Sequence, residues 1–160
     1  MALALRRHLL QCYGSFADKR IKKVETGRVF IADDRSDADL GADGQLFGYY
    51  CMIFAAVDSD TALTVDLRGN LPQSASVDAI IQRHGGTLNR SGPQPSAQLV
   101  IERGNIAALR ELADAFDAIV APGRRYSTAN YKYVCPRTAT ALRRLAKHLE
   151  SYAWRKSGFF

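Results

Sequence analysis

Few residues of this 160-residue chain stand at spacings that could do chemistry. Its three histidines, His8, His84 and His148, are far apart and form no HExxH or other metal-ligand spacing. Its three cysteines, Cys12, Cys51 and Cys135, include no CxxC pair, and an odd number leaves one outside any disulfide framework. An intracellular, reducing setting, cytoplasmic or organellar, is therefore expected. There is no GxSxG elbow, Walker loop or dinucleotide-binding glycine pattern. His84 falls on an apolar helical face just before Gly85-Gly86, where a structural histidine is expected. Carboxylates and cations remain. An enzyme built on them would hold a divalent metal with acids.

Charge is segregated along the chain. Residues 1–31 carry seven basic and two acidic side chains, residues 33–66 one basic and eight acidic, and residues 67–120 five of each. After Val120 there are nine basic residues and one acid, Glu150. Clustered cations release counterions from phosphates, so nucleic acid is the expected partner. The cations of the stretch 124–137, RRYSTANYKYVCPR, alternate with three tyrosines. Arg124, Arg125, Lys132 and Arg137 are candidate phosphate contacts, while Tyr126, Tyr131 or Tyr133 could stack on an unpaired base.

The elements that must position these groups are read from periodicity. The length suits one domain, and 47% hydrophobic with 24% charged residues excludes wholesale disorder. No apolar run is long enough to cross a bilayer as a helix. Residues 1–36 read as a basic N-terminal extension, with Leu5, Leu9, Cys12 and Phe16 on one helical stripe. Its acid-free start also resembles a targeting segment. Residues 37–160 read as a single α+β domain. Residues 28–32 form a short strand, and residues 45–57 and 61–67 an antiparallel hairpin turning at 58–60. Ser74 or Ser76 caps a helix that Gly85-Gly86 ends. After strands at 87–89 and 97–102, Asn105 caps a helix with Ile106, Leu109, Leu112, Ala113 and Phe116 inside. Residues 124–137 read as irregular. Thr138 starts a last helix with Leu142, Leu145, Leu149 and Tyr152 inside and Arg143, Arg144 and Lys147 outside.

The acidic stretch contains DLGADG at 39–44, a poor calcium loop because Gly41 and Tyr50 stand where ligands are needed. The strands and helices after it give this stretch another meaning. LGADG (40–44), AIIQRHGGTLN (79–89), QLVIERGNIAALRELADAF (98–116) and YKYVCPRTATALRRL (131–145), in this order of strands and helices, resemble the LAGLIDADG homing-endonuclease family over residues 37–150. The resemblance implies an antiparallel sheet with helices on one face, a ββαββα core, and a homodimer packed through signature helices. It implies that Asp43 binds a catalytic Mg²⁺ and that Lys132 lies near the position of the family's catalytic-site lysine. Asp33, Asp34, Arg35, Ser36 and Asp37 stand where that helix should be small and apolar, and burying unpaired charges is costly.

Two function classes remain. One is a nucleic-acid-binding domain, DNA before RNA, that is either a Mg²⁺-dependent DNA endonuclease or a derivative that has lost cleavage. Its binding face would be the exposed side of the sheet together with residues 124–137. The other is a small protein-interaction module that docks through the acidic stretch or through Tyr49, Tyr50, Met52 and Phe54.

Overall fold

Alternation of period two in the central strands, set against helical stripes of period 3.6, gives an α+β fold in which helices cover one face of an antiparallel sheet. A computed structural model of the chain describes residues 4–13, 28–30, 51–69, 71, 74–91, 95–120 and 131–152. In chain order the elements are α1 (Ala4–Tyr13), β1 (Arg28–Phe30), β2 (Cys51–Ser59), β3 (Ala62–Gly69), α2 (Ala75–Arg83), β4 (Thr87–Asn89), β5 (Ser96–Glu102), α3 (Ala107–Ile119) and α4 (Tyr131–Ser151). The sheet order is β1-β2-β3-β5-β4, with every neighbouring pair antiparallel. From β2 to α3 the succession is strand, strand, helix, strand, strand, helix.

Register puts the apolar residues of the three central strands on one face. Ile53 pairs with Leu67, Ala55 with Val65, and Leu63 and Val65 with Ile101 and Leu99. All are buried, in one core with Val77 and Ile81 of α2, Leu109, Leu112 and Phe116 of α3, and Leu142, Leu145 and Leu149 of α4. The expected extension also contributes: Leu5 and Leu9 of α1 lie in that core, and β1 adds a strand to the sheet beside β2.

Several local expectations hold. Ser74 caps α2, its hydroxyl accepting from the Val77 N–H at 3.2 Å. Two glycines end this helix for different reasons. Gly85 has φ +75°, the left-handed conformation that a Cβ disfavours. At Gly86 a Cβ would lie 2.6 Å from the Gln98 carbonyl oxygen and 2.7 Å from Ile81, so no side chain fits between α2 and β5.

Other local expectations need correction. β2 runs on to Ser59, leaving Asp60 and Thr61 as the turn, with a register shift between Val57 and Ser59. Asn105 does not cap α3. It closes a 3-10 turn (Arg103–Asn105), accepting from the Glu102 N–H at 2.7 Å and donating to the Val100 carbonyl at 2.9 Å. The last helix starts at Tyr131 rather than Thr138, so 131–137 is helical with Pro136 inside. Proline forfeits one ladder bond. Among the described side chains of this helix, Cys135, Thr138, Ala139 and Leu142 are buried, and this packing sustains the earlier start. Arg143 is not on a free outer face: its guanidinium bonds Asp114 at 2.8 Å and Asp117 at 2.7 Å on α3.

These contacts separate two residues that are two positions apart on α4. Leu145→Ala removes a fully buried side chain and is expected to cost about 2–5 kcal/mol. Arg143→Ala removes a half-exposed ion-pair partner and is expected to cost about 1 kcal/mol. Denaturant midpoints at unchanged m-value check the pair; equal losses would mean that the buried face of α4 is drawn wrongly.

Candidate nucleic-acid interface

Of the residues expected to carry function, Asp43, Arg124, Arg125 and Tyr126 lie outside the described residues. The same holds for Tyr49 and Tyr50, while Met52 and Phe54 are placed in β2 by their backbone. The structure brings Tyr131, Lys132 and Arg137 onto one element, the first two turns of α4. Arg137 is half-buried there, with Cys135, Thr138 and Ala139 buried around it.

The sheet face away from the helices is not a basic surface among the described residues. Asp66, Arg68, Gln98, Val100 and Glu102 share it, the register adds Arg28, and Asp58 accepts from the Thr64 hydroxyl there, so three acids accompany two arginines. Asp66 is buried, 3% exposed, and its Oδ2 accepts from Arg68 Nε at 3.0 Å. Among the described residues, the part of the expected binding face assigned to the sheet therefore lacks the basic excess that phosphates require.

Helix α3 determines where charge is neutralised. Its stripe of Ala108, Leu109, Leu112, Ala113, Ala115 and Phe116 is buried, which leaves Glu111, Asp114 and Asp117 toward the neighbouring helices. Glu111 pairs with Arg83 at the end of α2 and lies 3.7 Å from His84, whose buried Nε2 has no hydrogen-bond partner, so the satisfied structural histidine expected there is not seen. Asp114 and Asp117 hold Arg143 and raise its pKa. Arg110 of α3 in turn pairs with Glu150 of α4 at 2.6 Å. Every acid of α3 and α4 is thus engaged by an arginine, and α4 as a whole keeps a basic excess.

A second meeting of helices was not legible in the sequence. The N-terminus of α1 is tied to the hairpin turn, the Leu5 N–H donating to Asp60 Oδ1 at 3.2 Å. One turn on, His8 Nε2 lies 2.7 Å from the His148 carbonyl oxygen, in the last turns of α4. Ser151 Oγ is 3.3 Å and Cys12 Sγ 3.7 Å from the same nitrogen. The His8 ring is 5.3 Å from that of Tyr152. Burial first, and then the charges of Arg144, His8 and Lys147, hold His148 below the usual histidine range. Only the spacing of His8 and Cys12, four residues apart on one helical face, was a signal; their partner is 140 positions away.

Cysteine chemistry does not animate this cluster. Burial raises the Cys12 thiol, against the opposing charge of Arg144, so its histidine neighbour does not make it a thiolate. Cys135 is pushed up to about 12 by burial and by Asp117. Nor do the described residues supply the expected Mg²⁺ with a donor set: among them no three of His, Cys, Asp and Glu converge on one point. No described helix is long and apolar enough to cross a membrane. No family model, curated protein or solved structure matches the chain.

Both thiols are free, and their reactivity checks this environment. In a Cys51→Ser background, Cys12 should alkylate more slowly than a small free thiol near pH 8. Cys135 should react only after unfolding, since a pKa near 12 leaves about one thiolate in ten thousand at that pH. Mass spectrometry after timed iodoacetamide treatment reads both. Fast native labelling of Cys135 would contradict its burial.

Proposed function

We propose that the chain is a nucleic-acid-binding domain that engages the phosphate backbone, duplex DNA before RNA. The observation that supports this reading is the segregation of charge. After Val120 nine cations accompany a single acid, and that acid, Glu150, is held by Arg110. Internal neutralisation would be the ordinary use of so many cations. On α3 and α4 it engages Arg143 and Arg110. A polyanion is the ligand such an excess suits, through counterion release.

Mg²⁺-dependent cleavage, the finer part of the reading, rests on the resemblance and on Asp43 and Lys132. Its test is nicking of supercoiled plasmid with Mg²⁺ or Mn²⁺ that Asp43→Asn abolishes while binding survives. The binding reading has its own test. Retention on duplex DNA should fall steeply with salt. Changing Arg124, Arg125 and Lys132 together to alanine should flatten the plot of log K against log salt by up to about three counterions' worth. Salt-independent retention, or none at low salt, would instead favour the protein-interaction module. Val100, 48% exposed, is the one large apolar side chain that the described surface offers such a partner.

A further inference from the structure

We propose that the outer edge of β5 is a strand-pairing surface held shut by the Asn105 side chain, and that a second copy of this chain occupies it once that side chain is removed. The proposal is independent of the nucleic-acid reading and goes beyond it: it concerns what keeps one chain apart from another.

The edge arises from unequal strand lengths. β5 runs from Ser96 to Glu102, but β4 pairs only with Ser96, Ala97 and Gln98. On its other side β3 accompanies β5 throughout, from Ala62 opposite Glu102 to Arg68 opposite Ser96. Among the described residues, no strand lies against Leu99 to Glu102 on the β4 side. Backbone groups left at such an edge are a template for another strand. Val100 adds to the invitation: it lies within this stretch and is the one large apolar side chain that the described surface exposes.

Asn105 answers it with one carboxamide. After Glu102 the chain turns through the 3-10 helix Arg103–Asn105, which carries Asn105 back beside β5. There Nδ2 donates to the Val100 carbonyl at 2.9 Å, and Oδ1 accepts from the Glu102 N–H at 2.7 Å. Turning the amide over would set donor against donor and acceptor against acceptor, so its partners fix its orientation. The Glu102 side chain accepts in return from the Asn105 backbone N–H, which holds the turn closed.

The two groups that Asn105 satisfies are complementary to each other. In an antiparallel pair, residues opposite one another at a hydrogen-bonded position exchange both N–H···O bonds. A twofold axis at Ile101 sets Val100 of one copy opposite Glu102 of the other, twice over. The Val100 carbonyl then accepts from the partner's Glu102 N–H, and the bonds lost with the amide are remade between chains. Such a contact is self-complementary and closes at two copies. A carboxamide that only capped its own turn would contribute stability and leave the state of association unchanged.

Sedimentation equilibrium of the full chain over about a hundredfold range of concentration reads the difference. The average mass of Asn105→Ala should climb with concentration toward twice that of the parent chain, while the parent's mass stays constant. Glu102→Ala loosens the same turn but leaves the amide in place, and should keep the parent's mass. Adding Val100→Glu to Asn105→Ala sets like charges directly opposite across the twofold and should restore the parent's mass. Circular dichroism confirms that each variant is folded. Should Asn105→Ala not fold, Asn105→Asp carries the same test, since it keeps the shape and the acceptor but offers Val100 no donor. A folded variant with the parent's mass at every concentration overturns the proposal, as does association that survives Val100→Glu. Association of the parent chain that Val100→Glu alone abolishes also overturns it, because the edge is then not shut.

Discussion

A sheet with one apolar face must lay that face on something, and here it shares one core with four helices, α3 among them. Six residues of α3 are buried, and that burial fixes the helix's rotation about its own axis. With the rotation fixed, Glu111, Asp114 and Asp117 have no choice of direction. They present carboxylates to the helices on either side and draw Arg83 and Arg143 to themselves. Hydrophobic packing supplies the energy; the ion pairs, half-exposed, add little of it and mainly choose partners. One consequence reaches the surface: the acids of α3 and α4 are all engaged by arginines of the helical layer.

Elements with strong periodicity were legible in the sequence. The hairpin, the helix capped by Ser74 and the stripe of α3 follow from local alternation and capping chemistry that tertiary structure did not override. Where the reading failed, a local rule met a stronger nonlocal one. Residues 124–137 read as irregular, yet the helix already runs from Tyr131 through Pro136, with Cys135 and Ala139 buried on either side of the proline. Asn105 had the right chemistry for a cap and used it on the backbone of β5 instead. Arg143 looked solvated because the acids that claim it lie 26 and 29 positions earlier, beyond any periodic window.

The candidate site was less legible for the same reason. Composition located the basic end of the chain, and interleaved tyrosines drew attention to residues 124–137. Nothing local indicated that an N-terminal histidine would meet a carbonyl in the last turns of the final helix. Nor did it show that the open side of the central strands would set Asp66 against Arg68 and leave no basic excess among the described residues. A binding surface is a property of which faces meet, and sequence order hides the meeting of ends.

That meeting has a consequence for how the chain is made. The contact of His8 with the His148 carbonyl spans 140 positions, and Leu5 with Asp60 spans 55. Helix α1 leaves the ribosome well before α4, but the surface it must rest on is complete only once α4 has been synthesised. Ten residues form at best a marginal helix alone in water. An element made early is therefore among the last to settle, and the entropic cost of closing so long a loop is offset only when the rest has collapsed. Until then Leu5 and Leu9 have no core to enter, and the nascent chain carries an apolar, cationic segment in the open until its final helix emerges.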